Sequence, residues 1–212
     1  MPTPIFHITH RNNLPGILAR GGICCDRDCQ EDNLTAVCIG YSDIKQRRFF
    51  RAVRVRGEAR GVVADYVPFY FGPRSPMLFT ISNGNVEGYP EGQGPVAHLV
   101  VSADAIANAG LPFVYTDRNA ALAYAQFTDV LDDLGEHVDL ALMKARYWNN
   151  TQEQPDRMER RMAEFLVHDF VPWEYVRAIG VMSQAEAKLV NEILEVHQGH
   201  RPTVSVRREW YY

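Results

Sequence analysis

The chain has 212 residues, a formal net charge of -4, 46% hydrophobic and 23% charged residues. These values suit one folded domain with a sizeable core and exclude a largely disordered chain. They also exclude nucleic-acid binding through bulk positive charge, so any such contact needs a local basic cleft.

No run of about 18 apolar residues is present, and no transmembrane helix is expected. The start, Met1-Pro-Thr-Pro-Ile-Phe-His, lacks the basic region and apolar run of a signal peptide, so a soluble cytoplasmic protein is expected. Ile5–Thr9 reads as a short strand. Asn12 or Asn13 is placed to cap a helix through Leu14, Ile17 and Leu18, with Pro15 in its first turn and Gly21-Gly22 at its end. Ala36–Ile39 reads as buried, and Ser42–Arg51 as a basic, helix-compatible run. Gly61–Asp65 and Met77–Ser82 read as strands. Three prolines and four aromatics between them exclude a regular helix there.

Asn83–Gly94 is a loop by its Gly and Asn content. Val96–Val101 reads as a strand, Ser102 as the cap of a helix over Ala103–Ala109, and Phe113–Thr116 as a strand followed by a helix over Ala120–Phe127. Trp148–Pro155 is polar and turn-rich, and Ala163–Val167 is an apolar strand around one glutamate. Val176–Met182 is a strand, Ser183 caps a helix to about His197, and Thr203–Val206 is the last strand. Strands and helices do not alternate regularly, which predicts an α+β fold rather than a doubly wound parallel sheet.

Four features could carry chemistry. His7 and Thr9, two apart in a strand, share a face and could bond one ligand; spacing alone favours a satisfied core histidine. In the basic helix Arg48 shares the face of Ile44, while Arg47 and Arg51 lie together beside Asp43. A solvated basic face is the plainer reading, an anion clamp the functional one. Glu164 sits in an apolar strand, where a carboxylate is costly to bury unless paired or used. The aromatics and arginine of Pro68-Phe-Tyr-Phe-Gly-Pro-Arg-Ser-Pro-Met-Leu-Phe could hold a flat ring or simply fill core. No GxGxxG, P-loop or HExxH occurs. Cys24, Cys25, Cys29 and Cys38 have no second pair downstream, so neither zinc nor a disulfide is expected.

In order, these segments resemble the DarT family of DNA ADP-ribosyltransferase toxins. The resemblance is carried by Ile5-Phe-His-Ile-Thr-His, Asn13-Leu-Pro-Gly-Ile-Leu, Ile44-Lys-Gln-Arg-Arg and Asp65-Tyr-Val-Pro-Phe-Tyr-Phe-Gly-Pro-Arg-Ser-Pro-Met-Leu. It continues through Gly110-Leu-Pro-Phe-Val-Tyr-Thr-Asp-Arg, Arg146-Tyr-Trp, Ala163-Glu-Phe-Leu-Val and Glu209-Trp-Tyr-Tyr, and so spans essentially the whole chain. It implies a single domain over 1–212 with an ADP-ribosyltransferase-like split central β-sheet and peripheral helices. It implies NAD⁺ as co-substrate without a metal, single-stranded DNA as acceptor, and a macrodomain antitoxin, DarG, as partner.

Carried over, Glu164 and Arg48 match the family's catalytic pair, and His7, Ile8, Thr9, Gly16, Tyr70 and Met77 would line the NAD⁺ site. The segment from about 118 to 164 would recognise substrate, with Arg74, Arg118 and Arg146 as candidate DNA contacts. The aromatic pattern after Pro68 looks like the thymine branch; guanine in DNA, RNA or protein are the alternative acceptors, and a non-catalytic nucleic-acid-binding domain the alternative of another class. Residues Cys24–Leu34 depart from the family pattern and are expected at the rim of the NAD⁺ site.

Overall fold

The computed structural model describes residues 2–40 and 42–212. The first stretch runs through β1 (Pro4–His10), α1 (Leu14–Arg20), β2 (Gly22–Cys24) and α2 (Asp26–Glu31). Next come α3 (Ser42–Phe50), the hairpin β3 (Ala52–Val55) and β4 (Glu58–Val62), β5 (Tyr66–Tyr70) and α4 (Pro76–Ser82). The middle holds β6 (Val96–Ser102), α5 (Ala103–Asn108), β7 (Phe113–Thr116), β8 (Phe127–Thr128) and three brief helices, α6 (Leu134–His137), α7 (Leu140–Lys144) and α8 (Arg157–Arg160). The chain ends with β9 (Glu164–His168), β10 (Phe170–Pro172), β11 (Ala178–Val181), α9 (Gln184–Glu195) and β12 (Thr203–Val206). Among the described residues no helix is long and apolar enough to cross a membrane.

Among these residues, eight strands form one mixed sheet in the order β12-β11-β6-β1-β5-β9-β7-β8. The sheet is split. β1 pairs with β6 along its full length, and β5 with β9 from Tyr66–His168 to Tyr70–Glu164. The two halves meet only at Phe6 opposite Tyr70. Pro68 explains why the split is tolerated. Its carbonyl oxygen lies 2.9 Å from His7 Nδ1, so it faces β1, and so does the position where an N–H is missing. Parting the strands there strands no donor. The interior is continuous on one face through Ile5, Phe69, Leu99, Tyr115 and Phe165, while Ile8, Leu78 and Ile81 pack on the other.

The α+β class and ten of the expected strand or helix segments stand, and five local expectations do not. Met77–Ser82 lies in the helix α4 rather than in a strand, because Ser75 Oγ accepts the Leu78 N–H at 3.1 Å and Pro76 fills the first turn. Ala120–Phe127 is not a helix. Asp117 Oδ1 takes the Gln126 N–H and Asn119 Oδ1 the Ala121 N–H, holding the segment in turns before β8. Gly61–Asp65 is split between the end of β4 and a 3-10 turn over Val63–Asp65, whose Asp65 Oδ2 accepts the Val62 N–H.

Asn13 occupies the N-cap of α1 without capping it; its amide instead clips Val37 at both N and O and bonds Thr9 Oγ1. That clip draws Ala36–Ile39 along a rim, so Ile39 is buried but Ala36 and Cys38 are exposed. Gly21, at φ 78°, ends α1 as expected. The Asp43 side chain, expected beside Arg47 and Arg51, lies outside the described residues.

His98 in β6 is fully buried, with Nε2 2.9 Å from the Pro73 carbonyl oxygen and Nδ1 3.2 Å from the Tyr211 hydroxyl. Burial pushes its pKa from 6.5 down to about 4. Above pH 6.5 the ring is neutral in both folded and unfolded chains. As pH falls from 6.5 towards 4 only the unfolded chain takes up the proton, so stability is lost across that window, by about 3 kcal/mol. Melting temperatures recorded through this range should fall more steeply for the wild type than for His98→Gln; equal slopes would rule the assignment out.

Candidate functional site

The cleft opens where the sheet splits. One wall is β1, where His7 and Thr9 share a face as the alternation requires, with Ile8 also reaching the lining. Gly16 of α1 lines the cleft beside them, and Tyr70 of β5, Met77 of α4, Arg48 of α3 and Glu164 of β9 complete it. All eight residues expected at the catalytic and NAD⁺ sites therefore meet in one cleft. Counting its open mouth and the solvent in it, the cleft takes in about 1480 Å³.

Glu164 is 5% exposed and Arg48 6%. Arg48 Nη1 donates to Glu164 Oε2 at 2.7 Å, and Arg48 Nε donates to Asp26 Oδ2 at 2.6 Å. The second oxygen of Glu164, Oε1, accepts the Ala120 N–H at 3.0 Å. The Glu164 backbone is fixed as well, its N–H donating to Thr116 Oγ1 at 3.0 Å. Two carboxylates, the buried Glu164 and the partly exposed Asp26, share one guanidinium, for a formal charge of -1. Burial disfavours the Arg48 cation, but Glu164 and Asp26 outweigh that and hold its pKa above the ordinary arginine value. Arg48 therefore stays charged and cannot serve as a base. Its Nη2 is buried without a hydrogen-bond partner among the described residues. An unmade buried donor costs about 1–3 kcal/mol, and an anionic or carbonyl oxygen brought by a ligand would offset that.

Burial lowers the His7 pKa, with the Pro68 bond opposing. A carbonyl only accepts, so His7 Nδ1 carries the proton and Nε2 is the acceptor left for a ligand hydroxyl. Tyr70 stands opposite Glu164 in the β5–β9 register. Burial and the neighbouring Glu164 carboxylate push its phenol well above the ordinary range, so it is a neutral ring beside the carboxylate. These groups fit a dinucleotide: an apolar, aromatic wall, hydroxyl acceptors in His7 and Glu164, and a cation with one open donor.

Three expected DNA contacts lie outside the cleft lining. The Arg74 guanidinium sits 4.5 Å from the centroid of the Tyr212 ring. Arg118 donates to Asp117 at 2.8 Å and lies near Glu159 and Asp156 as well, so its charge is balanced. Arg146 is exposed, 5.8 Å from the Tyr147 ring.

Sequence reading missed Asp26, Thr116 and the Ala120 N–H, the groups that hold the Arg48–Glu164 pair. Asp26 lies within the Cys24–Leu34 segment, which does form part of the rim, contributing Cys24, Asp26, Cys29 and Leu34 to the lining. Its aspartates carried no spacing signal that separates Asp26 from Asp28. Cys25 and Cys29 are free thiols that burial pushes up to about 11. Cys25, Asp28 and Asp169 place ligand-type atoms within 4.8 Å of one another. Groups of this kind are common on surfaces with no ion bound, and nothing else at this one points to a metal.

Residues 6–212 match the family described as ssDNA thymidine ADP-ribosyltransferase, DarT. The chain belongs to the DarT family. It is 42% identical over 212 residues to the DNA ADP-ribosyl transferase of Thermus sp. (strain 2.9), covering all of this chain and 97% of that one. The solved structure of Thermus sp. 2.9 DarT in complex with ADP-ribosylated ssDNA superposes with a TM-score of 0.91 at 42% identity, covering 100% of this chain and 97% of the other. Thermus sp. 2.9 DarT in complex with NAD⁺ gives a TM-score of 0.87 at 40% identity, covering 100% and 98%. The split-sheet, ADP-ribosyltransferase-like fold expected from the DarT resemblance is thereby established.

Removing the cation between the two carboxylates should be costly to the fold as well as to the site. Arg48→Ala is expected to destabilise the protein by about 3–5 kcal/mol, the usual cost of breaking a buried pair from one side. Arg47→Ala, an exposed position, should shift stability by no more than about 0.5 kcal/mol. Denaturant titration of the two variants measures the difference, and equal midpoints would refute the pairing.

Proposed function

We propose that this protein transfers ADP-ribose from NAD⁺ to a thymine of single-stranded DNA and releases nicotinamide, with Glu164 and Arg48 as its catalytic residues. The observation that carries the reading is the buried Glu164 carboxylate, oriented by Arg48 and the Ala120 N–H within a cleft fit for a dinucleotide. Breaking the nicotinamide–ribose bond builds positive charge on the ribose, as in glycoside cleavage. The net negative charge of the Asp26–Arg48–Glu164 group opposes that charge from a fixed position. Each Glu164 oxygen already accepts one bond and has a second lone pair with which to hold a ribose hydroxyl.

Arg48 supplies its free Nη2 donor to a diphosphate oxygen or to the thymine, whose ring nitrogen gives its proton to solvent water and attacks the ribose carbon as the carbon–nicotinamide bond breaks. His7 Nε2 and Thr9 hold the nucleotide on the other wall, with Ile8 and Gly16 shaping it. Tyr70 and Met77 pack the nicotinamide.

The whole of 1–212 serves as one catalytic domain. Residues 118–164 serve as its DNA-recognising segment, with the exposed Arg146, together with Arg74 and Arg118, as the candidate DNA contacts. Membership of the DarT family supports a macrodomain antitoxin, DarG, as partner and a cytoplasmic site of action, where both NAD⁺ and DNA are found.

Glu164→Ala should lower transfer to a thymine-containing oligonucleotide by about 100–1,000-fold or more, since the carboxylate acts mainly on charge that develops in the transition state. Folding should survive, because Arg48 keeps Asp26 as partner. Labelled NAD⁺ incubated with DNA, RNA or protein, alongside a melting curve, decides the matter. A folded Glu164→Ala protein with near-normal transfer, or label passing to RNA or protein but not DNA, would overturn the reading.

A further inference from the structure

Residues 45–60 hold seven of the chain's 22 lysines and arginines and a single acid, Glu58, although the whole chain is negative. Arg48 is spent on the buried pair. Arg56 and Arg60 lie 4.0 and 3.6 Å from Asp129, and Arg60 is also within 3.4 Å of Glu58. Arg51 and Arg54 have no carboxylate partner among the described residues. They line a shallow recess with Ala52 on one side and Ala125, Gln126 and Phe127 on the other. The Arg51 guanidinium lies 5.3 Å from the Phe127 ring centroid, donates to the Ala125 carbonyl at 3.1 Å, and leaves its buried Nε without a partner. Arg54 and Gln126 are exposed, and Phe50 at the end of α3 is 86% exposed.

This recess joins the catalytic carboxylate through a single stretch of chain. Ala120 donates to Glu164, and Ala125 accepts from Arg51. The five steps of chain from Ala120 to Ala125 span at most about 18 Å even when extended. A positively charged groove with stackable flat groups is what a single strand requires: cations for phosphates, and planar guanidinium or aromatic faces for bases. A protein partner would find an open, shallow recess with no deep apolar pocket.

We propose that the recess between Arg51, Arg54 and Phe127 is a flanking-nucleotide subsite, seating a base beside the modified one on the Arg51–Phe127 stack and its phosphate on Arg54. The subsite rests on DNA being the acceptor. It selects sequence context next to the reacting base through the Gln126 amide, which can both donate and accept at a base edge.

The test couples a variant to a trimmed substrate. Transfer is measured to a thymine-containing oligonucleotide and to a series trimmed from either end, with wild type, Arg54→Glu and Arg54→Lys. Arg54→Glu should raise KM for the full oligonucleotide by about five- to ten-fold and lower the slope of log KM against log salt by about 0.7, one phosphate contact on a single strand. Arg54→Lys should keep most of the affinity. Trimming the flank that feeds the recess should raise KM for the wild type but not for Arg54→Glu, because variant and trim remove the same contact.

KM for NAD⁺ and the melting curve serve as controls. Unchanged KM and salt slope in Arg54→Glu, or penalties from variant and trim that simply add, would overturn the subsite. So would a charge reversal that disturbs only binding of an acidic protein. A wild-type enzyme that modified no oligonucleotide of any length would instead overturn the DNA acceptor itself.

Discussion

The buried chain Asp26–Arg48–Glu164 is the interaction on which the rest of the site depends. Taking Arg48 and Glu164 out of water, and Asp26 partly, costs several kcal/mol for each fully buried ion, and the mutual attraction only partly returns it. As a stability device the group would be poor, since apolar side chains of similar volume would serve at least as well. As a chemical device it does what apolar side chains cannot. It fixes one carboxylate in a low-dielectric cleft, keeps the guanidinium charged, and leaves one negative charge over for the substrate. The group also ties together elements distant in sequence: α2 through Asp26, α3 through Arg48, β9 through Glu164, β7 through Thr116 and the turns after it through Ala120.

That convergence needs space, and the sheet supplies it by coming apart. A continuous sheet would close β1 on β5 and leave no room above Glu164. Here the two strands share one registered pair, and Pro68 removes the donor that further pairing would use. His7 then reaches across with its own Nδ1–H, so the Pro68 carbonyl oxygen is satisfied by a side chain in place of a strand. The opening and the tautomer of His7 thus follow from the same proline.

The C-terminus holds the long segment that leads into β9. The Tyr212 hydroxyl accepts from Trp148 Nε1 at 3.2 Å and donates to the Arg74 carbonyl at 2.9 Å, which also accepts from Arg161 Nη2. Arg161 is almost fully buried three residues before Glu164. The final aromatics, the loop after β5 and the approach to the catalytic strand are therefore one packed unit. Residues 118–164 can follow an irregular path and still deliver Glu164 to a fixed place.

Local physics made much of this legible from sequence. Ser102 and Ser183 cap α5 and α9 as their hydroxyls and the following apolar periodicity require, and Gly21 ends α1. A glutamate inside Ala163–Val167 marked itself as costly, and the ordered motifs from Ile5 to Tyr212 pointed to the DarT family and so to the residues of the cleft. Met77–Ser82 misled because six apolar-rich residues fit either period, and only the Ser75 hydroxyl's bond to Leu78 decides for helix.

Other features needed the third dimension. Nothing in the spacing separates Asp26 from Asp28, and although helical spacing puts Arg48 and Arg47 on different faces, only the partners that folding brings show which of them is buried in a pair. The turns at Ala120–Phe127 have good helix formers but are held by Asp117, Asn119 and Glu164. The sequence by itself determined which segments could be regular and which charged residues were too costly to bury idly. The tertiary structure alone decided which charges meet, because a buried ion finds its counter-charge by long-range packing, and no local pattern encodes that distance.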